Sequence, residues 1–298
     1  MSRPVVRILL FALAPLLIAP EPAPAAESLT VYSGRIEHLI KPMFDAFTAR
    51  TGIKVKYFTA SEPELFERLK AEGPNTPADV LMTVDAGNLW LAQQAGLLQG
   101  FESAVVSKNI PAHLRAGGNE WVGLSIRARP IVYSAERVKP GDLSTYEALG
   151  DPRWRGRLCL RTSKKVYSQS QVATMIKTLG EARTEEALRG WMANQPRIFS
   201  SDVKLLEAIA IGQCDAGMAN TYYLARLTVK EPSFPVAVFW PNQRDRGVHV
   251  NISGAGVTRH AKNREGAVKL IEFLSSPEAQ NLYADANYEY PANPAVKP

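Results

Sequence analysis

Two adjacent tyrosines, Tyr222 and Tyr223, are the residues of this sequence whose type and spacing most clearly suggest chemistry. Neighbouring side chains point about 100° apart on a helix and to opposite faces on a strand, so two phenols converge only near the start of an element. Asn220 or Thr221 is a suitable helix N-cap and would place the pair in the first turn. The alternative is that one tyrosine packs inward and the other lies on the surface.

Deprotonated tyrosines would offer hard, anionic oxygen atoms to a metal ion. The reference pKa of a phenol is about 10, so forming a phenolate at neutral pH costs several kcal/mol. The positive end of a helix dipole reduces that cost, but only a strong Lewis acid or a dense positive site offsets it. Ferric iron is such a cation, and three phenolates would neutralise its charge. The tyrosine pair therefore leads to the hypothesis of a ferric-iron site.

Motifs of common enzymes are absent from the sequence. It contains no G-x-S-x-G, no H-E-x-x-H, no P-loop and no C-x-x-C, and its four histidines are scattered. The net charge of +6 is modest and blocks of Lys and Arg are lacking, so nucleic-acid binding is not indicated. These observations favour a binding protein over an enzyme.

The first 26 residues have the pattern of a secretory signal peptide. Arg3 and Arg7 precede an apolar run at 8–18, which is well short of the roughly 20 residues of a membrane-spanning helix, and small residues follow. No cysteine follows the cleavage site to carry a lipid, so we expect a free periplasmic protein. In that oxidising compartment the only two cysteines, Cys159 and Cys214, most simply form one disulfide, the alternative being two buried thiols.

Predicted strands and helices alternate along the chain, which indicates an open parallel or mixed α/β sheet. A strand is predicted at 29–32, and Pro42 favours an ordered helix that begins at 42 after a loop at 33–41. Further strands are predicted at 53–57, 79–84, 131–133, 216–219, 236–240 and 248–252, and further helices at 86–95, 169–179, 184–192, 202–211, 264–274 and 277–284.

The chain is too long for one hydrophobic core, and no linker divides it. We therefore predict two lobes built from interleaved segments, with a ligand cleft between them near the C-terminal ends of the strands. The predicted N-terminal lobe comprises 27–126 and 250–285. The predicted C-terminal lobe comprises 127–249 and 286–298.

The sequence resembles the periplasmic ferric-iron-binding proteins of bacterial iron ABC transporters. These are type II periplasmic binding proteins, similar to the transferrin lobe. The resemblance spans the chain after the signal peptide, and its most specific part is the tyrosine pair. The matching segments are L-T-V-Y-S-G-R at 29–35, P-A-D-V-L-M-T-V-D-A-G-N-L-W at 77–90, G-L-S-I-R-A-R-P-I-V-Y-S at 123–134, R-L-C-L-R at 157–161, K-V-Y-S-Q-S at 165–170 and A-N-T-Y-Y-L-A-R-L at 219–227.

The resemblance implies that Tyr222, Tyr223 and Tyr167 are ligands of Fe(III), which is the transported solute. It also implies that Arg127 and Arg226 face the cleft, where they balance the phenolates or hold a synergistic anion such as carbonate. The implied partners are an inner-membrane permease and its ATPase, and a monomer is usual for the family.

The sequence departs from the family pattern in the first strand-to-helix loop. Relatives usually supply a His, a Tyr or both at the positions that Ile36 and Glu37 occupy here. Glu37 could supply a carboxylate oxygen, His38 could turn toward the site, or carbonate or water could fill the gap. Another branch of the family takes a Glu from the position of Val84, where no ligand is expected here.

Two other functions remain open from the sequence. One is a carrier of a small oxyanion such as a phosphonate, which would use Arg127 and Arg226 and keep the tyrosines as neutral donors. The other is a periplasmic enzyme on the same fold, against which the missing nucleophile and acid–base motifs weigh.

Overall fold

The computed structural model describes residues 28–297, so the predicted signal peptide at 1–26 lies outside the described residues. Within 28–297, no helix combines the length and apolar character needed to cross a membrane. The strands are β1 Ser28–Ser33, β2 Lys54–Thr59, β3 Val80–Val84, β4 Leu98–Gln99, β5 Val122–Ala128, β6 Ile131–Ser134, β7 Leu158–Arg161, β8 Arg197–Phe199, β9 Ala216–Met218, β10 Val236–Phe239, β11 Val250–Thr258 and β12 Tyr290–Pro291.

The helices follow the apolar periodicity of the sequence. They are α1 Glu37–Thr51, α2 Glu62–Glu72, α3 Ala86–Gln94, α4 Ala104–Asn109, α5 Val166–Leu179, α6 Glu181–Ala193, α7 Asp202–Ala210, α8 Thr221–Lys230, α9 Arg264–Ser275 and α10 Pro277–Asn287. Except for α1, the predicted helices lie within a few residues of their predicted bounds.

The first sheet has the strand order β12-β5-β11-β3-β1-β2, with β4 paired to β11. Strand β1 is parallel to β2 and β3, whereas β11 is antiparallel to β3 and β5. Its core is a cluster of buried apolar side chains whose largest members are Phe44, Phe47, Phe101, Phe273 and Tyr283. The mixed sheet and its helices form the first lobe.

The second sheet has the order β10-β6-β9-β7-β8, in which β7 is parallel to β8 and β9. Separate apolar clusters cover its two faces, one around Trp154, Trp191 and Tyr146 and the other around Leu205 and Ile209. This sheet and its helices form the second lobe.

The chain crosses between the two sheets at adjacent points. Strand β5 of the first sheet is followed closely by β6 of the second, and the return segment enters β11. The two crossings touch where the backbone N–H of Arg129 donates to the carbonyl oxygen of His249, at 2.9 Å. The lobes are therefore interleaved.

The prediction that the first helix begins at Pro42 is wrong, because α1 begins at Glu37 and contains Pro42. Proline at this position removes one hydrogen bond, to the carbonyl of His38 in the first turn. His38 is exposed, so water can satisfy its carbonyl, and extending the helix buries Leu39 and Ile40 on the other side of the turn.

Residues 286–298 were predicted to belong to the C-terminal lobe, but the described part of this segment, up to residue 297, packs on the first lobe. Strand β12 pairs with β5 through Tyr290 and Ile126, and Ala292 packs in the core of the first lobe. The segment is held there by a buried ion pair between Glu289 and Arg35, at 2.6 Å. Such a short strand has no periodicity that would reveal its partner in the sequence.

The two cysteines form the predicted disulfide. Cys159 lies in β7 and Cys214 lies in the turn before β9, with a Cα–Cα distance of 5.9 Å. The bond joins two neighbouring elements of the second sheet, next to the strand that leads into α8. It restricts the unfolded chain across a sequence separation of 55 residues.

Candidate functional site

Tyr222 and Tyr223 lie in the first turn of α8, directly after β9, as predicted. Asn220 is the N-cap residue, but its side chain makes no capping hydrogen bond. Instead its Oδ1 accepts from Arg129 at 3.1 Å, and its amide lies 3.3 Å from the Tyr222 hydroxyl. The buried amide therefore fixes where the Tyr222 phenol can lie.

The third predicted tyrosine, Tyr167, reaches the same point from the first turn of α5. Its hydroxyl is 3.4 Å from that of Tyr222, and the ring centroids of Tyr222 and Tyr223 are 4.3 Å apart. Tyr167 and Tyr222 are only 8% and 6% exposed. The structure therefore brings the three phenols together where two helix N-termini meet, and the positive ends of both helices favour negative charge there.

Three cationic side chains surround the rings. The guanidinium of Arg127 and the ammonium of Lys165 lie 5.4 and 4.9 Å from the ring centroid of Tyr167. The guanidinium of Arg226 lies 5.2 Å from the ring centroid of Tyr222. Both arginines expected to face the cleft thus contact the tyrosines, whereas Lys165 was missed because a lysine before a helix has no distinctive pattern.

Burial keeps Tyr222 and Tyr223 protonated in the absence of a cation. Burial is the largest cause that raises the pKa of Tyr223 to about 12 and that of Tyr222 well above its ordinary value, and Tyr167 adds to the rise of both. Arg127 lowers the pKa of Tyr222 without cancelling these effects. A bound cation must therefore displace phenolic protons.

Asp85 links the lobes on one side of the cluster. Its left-handed backbone, with φ of 83°, is uncommon for a residue other than glycine. Its carboxylate accepts hydrogen bonds from the Ser170 hydroxyl of α5 at 2.6 Å and from the Asn251 amide at 2.8 Å, and it lies 3.4 Å from Arg127. Because Ser170 belongs to the second lobe, this carboxylate bridges the cleft.

Arg35 and Glu289 form a second buried cluster on the first lobe. Arg35 donates to Glu289 and Ser253, both at 2.6 Å, and to Asn287 at 3.0 Å. Burial opposes ionisation of Glu289, but Arg35 and Arg127 outweigh it, so the pKa of Glu289 lies below its ordinary value. Neither residue was found from the sequence, because the partners are 254 positions apart.

The structure does not bring Glu37 or His38 to the tyrosines. Both are exposed in the first turn of α1. The carboxylate of Glu37 accepts a hydrogen bond from the Tyr57 hydroxyl of β2, at 2.7 Å, and this contact raises the pKa of Tyr57. Within residues 28–297, no three His, Cys, Asp or Glu side chains form a group suited to a metal ion. A metal bound here would depend on the phenols.

Known proteins resemble this chain in sequence and in fold. The family described as bacterial extracellular solute-binding protein matches residues 42–298. The chain is 44% identical over 272 residues to iron uptake protein A1 of Synechocystis sp., which covers 89% of this chain and 76% of that protein. It is 30% identical over 280 residues to the major ferric iron-binding protein of Neisseria meningitidis, covering 92% and 83% of the two chains.

A solved structure shares the whole architecture. The Trichodesmium protein IdiA (FutA), in complex with iron and citrate, superimposes with a TM-score of 0.86 at 43% identity, covering 91% of this chain and 88% of that one. The predicted fold, a two-lobed periplasmic binding protein, is confirmed.

Proposed function

Because the chain belongs to the bacterial extracellular solute-binding proteins, which are the solute-binding components of ABC transporters, we propose that it captures one ferric ion between its lobes. The ligands are the phenolate oxygens of Tyr167, Tyr222 and Tyr223. The observation that carries the proposal is the convergence of these three phenol side chains at two helix N-termini among cationic side chains. Relatives with 44% and 30% identity that are named for iron uptake and ferric-iron binding support it.

The chemistry follows from the charge of the ion. Ferric iron is hard and trivalent, so three phenolates neutralise it, and binding releases the phenolic protons. Arg127 and Arg226 stabilise the phenolates through their positive charge, and a synergistic anion such as carbonate would complete the coordination next to them. Since protons compete with iron for the same oxygens, affinity falls steeply in acid.

Capture and delivery depend on lobe closure. The tyrosines belong to the second lobe, whereas Arg127 belongs to β5 of the first. If the tyrosines hold the ion and Arg127 holds the synergistic anion beside it, the bound solute contacts both lobes and favours the closed form. We place the protein in the periplasm as a monomer, where an inner-membrane permease with its ATPase recognises the closed form. This role involves no enzymatic reaction.

The test is a ferric-iron titration of the mature chain followed by visible absorption, beside the double variant Tyr222→Phe/Tyr223→Phe. We expect a broad phenolate-to-iron charge-transfer band that saturates at one ion per chain and is lost in the variant. A colourless protein that binds no iron would overturn the proposal. Tight binding of a phosphonate by that colourless protein would point to an oxyanion carrier instead.

A further inference from the structure

Glu62 has an unusual environment at the cleft edge of the first lobe. It is the first residue of α2, and its carboxylate packs against Gly34 in the turn after β1, so closely that a β-carbon at Gly34 would lie 2.6 Å from Oε1. This oxygen is buried and has no hydrogen-bond partner among the described residues. An unpaired buried carboxylate oxygen is costly, and a bound cation would satisfy it.

The surroundings of Glu62 connect it to the tyrosines. Burial is the largest cause that raises its pKa and Asp85 adds to it, whereas its own backbone N–H, Lys165 and the backbone N–H of Val84 lower it. Lys165 belongs to the second lobe and its ammonium also lies over the ring of Tyr167. Lys165 therefore lies near both Glu62 and Tyr167.

The other carboxylates near the phenols already have strong partners. Asp85 is bound by Ser170, Asn251 and Arg127. Glu289 is paired with Arg35. The third, Asp202, is paired with two arginines of the second lobe, Arg129 and Arg161. Oδ2 of Asp202 also lacks a hydrogen bond but is ion-paired with Arg161, whereas Oε1 of Glu62 has neither kind of partner among the described residues.

We propose that Glu62 is the first-lobe ligand of the ferric ion, an inference that rests on the proposed function. A carboxylate oxygen is a hard anionic donor, as a phenolate is, and coordination would satisfy Oε1. Three phenolates and one carboxylate carry four negative charges, one more than the three positive charges of the ion. Lys165 and Arg127 offset this excess negative charge. A ligand from each lobe makes iron affinity depend on closure.

The experiment compares Glu62→Gln with Glu64→Gln in the mature chain. Glu64 lies in the same turn of α2 but is exposed, so its variant controls for the loss of one negative charge. Iron affinity is measured by competition with citrate, the charge-transfer band by absorption, and the ligand field by electron paramagnetic resonance of the bound ferric ion. Unchanged circular dichroism establishes that both variants fold.

We expect Glu62→Gln to keep the phenolate-to-iron band but to bind iron at least about tenfold more weakly and to have a changed resonance spectrum. Glu64→Gln should behave like the wild-type protein in all three measurements. Equal affinity and spectra in the two variants would overturn the role of Glu62 and leave the tyrosine site intact. Lower affinity with an unchanged resonance spectrum would also overturn it, because charge alone would then explain the loss. Absence of the band from the wild-type protein would refute the iron site itself.

Discussion

The buried ion pair of Arg35 and Glu289 fixes the position of first-lobe segments beside the cleft. Arg35 and Glu289 are each only 4% exposed at their side chains, so neither charge is solvated by water. Their pairing ties α10 and β12 to the loop after β1. Removing one partner leaves the other charge buried without compensation, which is more costly than losing an exposed ion pair.

Glu289→Gln should lower the free energy of unfolding by about 3 kcal/mol, because Arg35 keeps its buried charge and loses its counter-ion. Urea unfolding followed by circular dichroism measures the change. The matched control is Glu278→Gln, which breaks a pair with Arg50 whose side chains are 51% and 62% exposed and should cost less than about 1 kcal/mol. Equal losses in the two variants would contradict this account.

At the scale of elements, the crossing segments between the lobes enclose a neutral histidine. His249 precedes β11, its backbone N–H lies 3.0 Å from the Tyr146 hydroxyl, and its side chain is 9% exposed. Burial, followed by the positive charges of Arg129 and Arg127, lowers its pKa to about 4. The unfolded chain binds this proton near pH 6.5, so the unfolded state takes up more protons between these values.

Stability should therefore fall as the pH decreases from about 6.5 to about 4, with His249 contributing up to roughly 3 kcal/mol of the loss. His249→Gln should flatten that part of the stability profile and leave the profile above pH 7 parallel to that of the wild type. Urea unfolding at a series of pH values measures this. The control is His260→Gln, because His260 is exposed. If His260→Gln changed the pH dependence of stability as much as His249→Gln does, the assignment would be refuted.

Local periodicity predicted most elements, because the spacing of apolar residues that defines an element is contained within a few residues of sequence. Examples are α3, α5, α9 and the strand before Tyr222. The start of α1 was misplaced because the burial of Leu39 and Ile40 outweighs the cost of Pro42, and that balance depends on the packed core. The tyrosine pair could be found because both members are adjacent in sequence. Glu62 could not, because it approaches the cleft only when Gly34 and Val84 fold beside it.

For the molecule as a whole, the contacts that cross the cleft decide how strongly binding is coupled to closure. Ser170 of the second lobe donates to Asp85 of the first, and Arg226 lies 3.4 Å from the carbonyl oxygen of Asn287. These contacts exist only when the lobes approach. A hydrogen bond to a charged group contributes about 1.5 kcal/mol or more. This free energy corresponds to a roughly tenfold change in the equilibrium constant between the open and closed forms.

Ser170→Ala should therefore open the iron-free protein without changing any proposed ligand. We expect a larger radius of gyration from small-angle X-ray scattering without iron, the wild-type value with iron bound, and iron affinity lowered about tenfold because binding must supply the lost closure energy. The control is Thr174→Ala, one turn later on α5, whose hydroxyl bonds only within its own helix at 2.9 Å. Since the phenols are unchanged, the charge-transfer band of Ser170→Ala should match that of the wild type. An affinity equal to that of Thr174→Ala would mean that the Asp85 contact does not couple binding to closure.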